Sequence, residues 1–224
     1  MIPWVHLDTA AVPDGGGELR LMQRGSEFSI MSGSVELMNS RLSGSEEALA
    51  TLAADRIGDR PQARILIGGL GMGFTLRAAL AAFGPDVQML VAELVPAVVA
   101  WARGPMAHIS GGCLDDPRVT IGERDVSSLI AVPDGRFDAI LLDVDNGPGG
   151  LSRPENDRLY SKVGLRAAHA ALSSGGLLAV WSSGPNAEFS RRLATCGFEV
   201  EEIKVRATKS GRGARHVIWI GIKR

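Results

Sequence analysis

Apolar and polar residues alternate over Glu18–Arg24, Glu27–Met31 and Val35–Met38, as in Leu19, Leu21 and Phe28, Ile30, with Gly/Ser breaks between the runs. A period of two between turn residues predicts a small antiparallel β unit. Residues 1–17 end in Pro13-Asp14-Gly15-Gly16-Gly17, a turn-forming stretch with little core-forming material before it, and predict no element. After the β unit the period lengthens. Ser45 is the expected N-cap of a helix with Glu46 and Glu47 in its first turn, Leu49, Leu52, Ala53 and Ile57 along it, and a stop near Gly58.

From Arg64 onward short apolar runs alternate with helical spacing. Strands are predicted at Ile65–Gly68, Val87–Ala92, Val119–Ile121, Phe137–Asp143 and Leu177–Ser182, all apolar enough to be covered on both faces. Helices are predicted at Phe74–Ala82, Pro96–Arg103, Val126–Ala131, Leu159–Leu172 and Ala187–Cys196. Such alternation predicts a parallel sheet with helices on both sides. The final runs, Phe198–Ala207 and His216–Ile222, are separated by too few residues for a helical crossover, so an antiparallel hairpin closes the fold. The division expected from this change of pattern is residues 1–60 as an N-terminal extension and 61–224 as the ligand-binding domain.

Charge narrows the partners. With 24 Lys+Arg against 25 Asp+Glu and a net charge of -1 in 224 residues, no nucleic-acid footprint is expected. No apolar run reaches membrane-span length and the first residues lack a signal-like core, so the expectation is a soluble, cytoplasmic protein with no membrane partner. Cys113 and Cys196 have no paired spacing and read as buried thiols. Trp101 and Trp181 read as core or pocket wall. The small β unit leaves an edge that could pair two subunits as a homodimer.

The candidate chemistry starts at Gly69-Leu70-Gly71-Met72-Gly73, between the first strand of the alternating region and its helix. A glycine turn here lets ligand atoms approach the backbone and points free helix N–H groups at them. Phe74 stands where a dinucleotide fingerprint has its last glycine, and the Lys of a phosphate-binding loop is absent, leaving a nucleoside without a pyrophosphate. Glu93 ends the second strand of the region roughly 20 residues after Gly73, where a carboxylate accepts from both ribose hydroxyls. The third strand is followed by Glu123-Arg124-Asp125 and the fourth by Asp143-Val144-Asp145-Asn146.

Leu66–Gly73, Val91–Leu94 and Gly122–Val126 resemble the successive motifs of the class I S-adenosylmethionine-dependent transferases. Asp116–Val119, Phe137–Asp143 and Gly147-Pro148 resemble, more narrowly, the spermidine synthase branch. The resemblance implies a Rossmann-like α/β fold, a seven-stranded sheet with an antiparallel C-terminal hairpin, preceded by the small β unit. It implies that Gly69, Gly71 and Gly73 admit the amino-acid end of S-adenosylmethionine or its decarboxylated form, and that Glu93 holds the ribose. Leu94 would lie against the adenine, Asp125 would accept from its amino group, and the Val126 N–H would meet a ring nitrogen.

On the same resemblance Asp143, at the end of the strand, faces the sulfonium and orients or deprotonates the acceptor. Asp145 and Asn146 are candidate substrate contacts, and Tyr160 either joins them in lining the acceptor pocket or packs as part of a helix face. The branch carries Asp-x-x-Asp here, whereas Asn146 takes the second acid's place, and an acid usual in the glycine turn is missing at Leu70 or Met72. Losing a carboxylate removes an attraction for a cationic substrate. The sequence reading is therefore methyl transfer to a small-molecule acceptor. Aminopropyl transfer to a diamine is the alternative, and a non-catalytic nucleoside-binding module a third possibility. The strand end Trp181–Asn186 offers no acid, and no metal is expected. Residues 147–157 read as a lid.

Overall fold

The computed structural model describes residues 2–132, 136–144, 147–148, 154–208 and 213–224. Its chain begins with a four-stranded antiparallel sheet, β1 (Val5–Ala11), β2 (Glu18–Arg24), β3 (Glu27–Ser32) and β4 (Val35–Asn39), paired in that order. The last three follow the alternation. β1 was not expected, and its residues are nearly all exposed, so burial imposes no pattern on it. It is held by its ladder to β2 and by Trp101 Nε1, which donates to Asp8 Oδ2 at 2.7 Å.

Helix α1 (Gly44–Ile57) comes next and stops at Gly58, as the pattern predicts. Its N-cap position is Ser43 rather than Ser45, and Ser45 is buried in the first turn with its hydroxyl donated to Glu46. The helix packs through Leu49, Ala53 and Ile57 into the core of the larger sheet.

That sheet follows as β5 (Arg64–Gly68), α2 (Phe74–Ala82), β6 (Gln88–Glu93), α3 (Pro96–Arg103), α4 (Ala107–Ser110), β7 (Val119–Glu123), α5 (Val126–Ile130), β8 (Phe137–Leu142), α6 (Pro154–Leu159), α7 (Lys162–Ala171), β9 (Leu172–Ser182), α8 (Ala187–Thr195), β10 (Phe198–Arg206) and β11 (Arg215–Lys223). The strand order is β10-β11-β9-β8-β5-β6-β7, with β5 to β9 parallel and β11 antiparallel to both its neighbours. Where one long helix was expected over Leu159–Leu172, two form. Ser161 Oγ accepts from Gly164 N and starts α7, and Gly164 lies so close to the Arg158 and Leu159 carbonyls that a Cβ would collide with them.

Alternate residues of each central strand enter opposite cores. Ile65 and Ile67 face α1 and α2 with Leu76, Leu141 and Ile218, while Leu66 faces α7 and α8 with Leu165, Phe189 and Trp219. Each such side chain, wholly withdrawn from water, contributes about 2 kcal/mol. A third core joins the small sheet to the larger one, as Leu21, Phe28 and Ile30 pack against Met72, Phe74, Val98 and Trp101. The small sheet thus roofs the glycine turn. Among the described residues no helix is long and apolar enough to cross a membrane.

Candidate functional site

From β5 the chain builds outward through β6 to β7, then returns to the other side of β5 for β8 and β9. The strand order therefore reverses between β5 and β8, where an open α/β sheet leaves a crevice beyond its carboxyl ends. A cleft of about 390 Å³ lies there, walled by Gly69, Gly71, Glu93–Val95, Arg124–Val126, Asp143 and Val144, and roofed by Val12, Leu19, Ile30, Leu37 and Met38.

The glycine turn is tied to both neighbouring strands. Gly69 N donates to the Ala92 carbonyl, and Asp143 N donates to the Gly68 carbonyl, both at 2.9 Å. Gly69 has φ +89° and its α-carbon lies against the Asp143 carbonyl, so a Cβ there would strike backbone. Gly71, at φ +52°, is covered by the Met38 thioether. Gly73 takes the left-handed conformation as N-cap of α2. Gly69 and Gly71 line the cleft; Gly73 serves the turn.

Glu93 is buried at the end of β6. Its Oε2 accepts from Leu70 N at 3.0 Å and its Oε1 from Val95 N at 2.9 Å, so one carboxylate joins the turn to the strand while lining the cleft. Burial pushes its carboxyl above the ordinary range, and the surrounding backbone N–H groups pull it back. Leu94 and Val126 are cleft wall. Asp125 also lines the cleft, and its Oδ1 caps α5 by accepting from Ser127 N at 2.7 Å. The sequence reading gave this aspartate a ligand contact; its visible bond is the cap.

Asp143 follows β8 and faces the cleft. Thr75 Oγ1 donates to its Oδ2 at 2.6 Å. Burial, and then the charge of Glu46, push the Asp143 carboxyl up to about 7, with the Thr75 bond opposing them. Glu46 was read only as a first-turn acid of α1, yet it lines the same cleft. Its own carboxyl is raised by burial and by neighbouring Glu47, while Ser45, donating to Oε2 at 2.7 Å, favours ionisation. Nothing in the local pattern separates Glu46 from any helix-starting acid; only the packing of α1 across the end of β8 brings it to Asp143.

Tyr160 does not line the cleft. It is buried behind the wall, stacks edge-on against Phe189, and donates from its hydroxyl to the Val144 carbonyl at 3.3 Å. Trp181, read as core or pocket wall, lines the cleft. Asp145 and Asn146 lie outside the described residues, as does much of the 147–157 loop. Asp116 and Arg118 pair with each other, and Arg118 also donates to the Leu80 carbonyl in the last turn of α2, so this motif holds an element in place. Both cysteines are buried and unbridged, and burial pushes the Cys113 thiol up to about 11. Among the described residues no three His, Cys, Asp or Glu side chains converge as a metal site would require.

A sheet of this order, with a glycine turn at the reversal and acids on the next strand ends, is the S-adenosylmethionine-dependent methyltransferase fold. No protein-family model matches the chain. It is 33% identical over 138 residues to the polyamine aminopropyltransferase of Mycobacterium tuberculosis, a match taking in 60% of this chain and 25% of that protein. The chain thus spans about a quarter of the length of the curated relative. The spermidine synthase of Thermotoga maritima superposes with a TM-score of 0.76 over 98% of this chain and 73% of its own, at 18% identity. TrmN of Thermus thermophilus superposes at 0.57 over 80% of this chain and 48% of its own, at 26% identity. Within its fold class the chain is thus similar in sequence to a polyamine aminopropyltransferase and in fold to a spermidine synthase.

Proposed function

We propose that the protein transfers an aminopropyl group from decarboxylated S-adenosylmethionine to a small amine. The observation that carries this reading is the charge of the cleft. Among the described residues, Glu46, Glu93, Asp125 and Asp143 line it against the single cation Arg124. A ligand tail ending in ammonium is favoured by that field, and a tail ending in carboxylate is opposed by it. The names of the sequence relatives point the same way. The argument for methyl transfer was that Asn146 stands where a second acid belongs; Glu46, arriving from α1, supplies a second carboxylate by another route.

The residues present fit such a nucleoside. Glu93 would accept from the ribose hydroxyls with lone pairs its backbone bonds leave free. Leu94 and Val126 would enclose the base, and Asp125 offers a further acceptor at that end. When bound, the sulfonium supplies the leaving group, so the protein need only align the partners and receive a proton. Asp143, in its ionised form, orients the attacking amine and takes that proton, a task suited to a carboxyl near 7. Thr75 fixes which oxygen faces the cleft.

The test is turnover with decarboxylated S-adenosylmethionine and a series of diamines, scored by methylthioadenosine release. Release that depends on the diamine and is lost in Asp143→Asn is the expected result. Tighter binding of S-adenosylmethionine, with S-adenosylhomocysteine as the product, would instead establish methyl transfer.

A further inference from the structure

Glu46 and Asp143 reach the cleft from different elements and lie within each other's field, with Thr75 bonded to the Asp143 carboxylate and set against the Glu46 backbone. The Thr75 hydroxyl is 2.6 Å from Asp143 Oδ2 and 3.3 Å from the Glu46 carbonyl. No Lys or Arg is paired with either carboxylate among the described residues. The nearby charges are Glu47, whose partner is Arg77 on α2, and, elsewhere around the cleft, Glu93, Arg124 and Asp125. His216 of β11 stands behind Ser45, its Nδ1 at 2.8 Å from Ser45 Oγ. Ser45 has one proton and gives it to Glu46, so His216 Nδ1 carries the hydrogen, and burial holds that imidazole neutral by lowering its pKa. Among the described residues the pair therefore receives no cation.

A second, independent feature marks the same place as a ligand site. Trp181 lines the cleft, is 8% exposed, and its indole N–H has no hydrogen-bond partner among the described residues. A buried donor left unmatched costs about 1–3 kcal/mol, which a water carried in beside the ligand's ammonium group, itself a donor only, would recover.

We infer that Glu46 and Asp143 form a carboxylate pair that shares a proton before binding and exchanges it for the ammonium group of the ligand, so that binding releases a proton. Two carboxylates in one partly dry site do not both ionise without a counter-charge, and they titrate as a unit. An ammonium group supplies that charge. The balance is one carboxyl and one carboxylate plus R–NH3+ giving two carboxylates, the bound R–NH3+ and a free proton. The inference rests on the aminopropyl-transfer reading and adds to it a specificity role for Glu46.

The experiment is calorimetric titration at pH 7 in buffers of different ionisation enthalpy, with three probes: decarboxylated S-adenosylmethionine, methylthioadenosine, and 1,4-diaminobutane added to protein saturated with methylthioadenosine. Methylthioadenosine has no ammonium group and should bind without proton release. About one proton should leave when decarboxylated S-adenosylmethionine binds, if its own ammonium enters the pair, or when the diamine binds, if the acceptor's does. Glu46→Gln should abolish the release and weaken that ligand at least tenfold while leaving methylthioadenosine binding intact, which certifies the fold of the variant. Trp181→Phe should weaken the same ligand about fivefold. Binding of these probes with heats independent of buffer in every arm overturns the inference alone. Failure of both nucleosides to bind overturns the reading beneath it as well.

Discussion

Thr75 Oγ1 donates a 2.6 Å hydrogen bond to Asp143 Oδ2, joining the first turn of α2 to the residue after β8. Because the donor favours the ionised carboxylate, it restrains the rise that burial and Glu46 impose. Thr75→Val should move the Asp143 titration further above its present position near 7. In the aminopropyl-transfer reading the ionised form does the work, so the acidic limb of the pH–rate profile moves to higher pH and kcat/KM at pH 7 falls about tenfold. An unmoved acidic limb would separate Thr75 from the chemistry.

The same raised carboxyl has a stability consequence of definite sign. Its folded-state pKa, about 7, lies above the ordinary 3.8, so the folded state holds the proton more tightly. The stability due to this proton is fully present below pH 3.8 and is lost as pH rises to about 7. Asp143→Asn should therefore match wild type near pH 4 and exceed it at pH 8 by on the order of 4 kcal/mol. Urea unfolding at both pH values measures this, and a gain that is equal at both would sink it.

Two glycines of one turn should respond differently to the same substitution. A methyl at Gly71 meets the thioether end of Met38, which is flexible, whereas a methyl at Gly69 meets the Asp143 carbonyl. Both also carry the positive-φ strain of about 1 kcal/mol. Gly71→Ala should thus be partly rescued by Met38→Ala in a double-mutant cycle. Gly69→Ala should lose about 3 kcal/mol or more, with no rescue from position 38. Equal coupling of both glycines to Met38 would contradict the stated contacts.

The parallel core was legible because strands covered on both faces must be continuously apolar, and α2 and α3 end where Phe74–Ala82 and Pro96–Arg103 predict. β1 was not, since an exposed strand held by backbone pairing and one indole bond leaves no apolar trace. The ligand cleft was half legible. Glu93 and Asp143 stand at strand ends, where position along the chain fixes position in the fold. Glu46 reaches the site only through the packing of α1, and Tyr160 takes the packing role rather than the pocket role because the helix it was assigned to divides at Ser161 and turns its ring into the core.

Glu93 gives the most discriminating test of the nucleoside end. Its two oxygens accept from Leu70 N and Val95 N, so it is both a brace for the turn and a cleft-lining acceptor. In Glu93→Gln one of those backbone donors must face an NH2 group, leaving a buried N–H unmatched at about 1–3 kcal/mol, and charge-assisted acceptance of ribose hydroxyls is lost. Methylthioadenosine binding should weaken by about 10- to 100-fold, together with a fall in thermal midpoint. Glu93→Asp keeps the charge, but its shorter side chain cannot span both donors. It should therefore lose comparable stability while retaining more nucleoside affinity than Glu93→Gln. If the two variants lose affinity and stability in fixed proportion, Glu93 is only a brace. If Glu93→Asp binds better than Glu93→Gln at equal stability, the carboxylate itself meets the ligand.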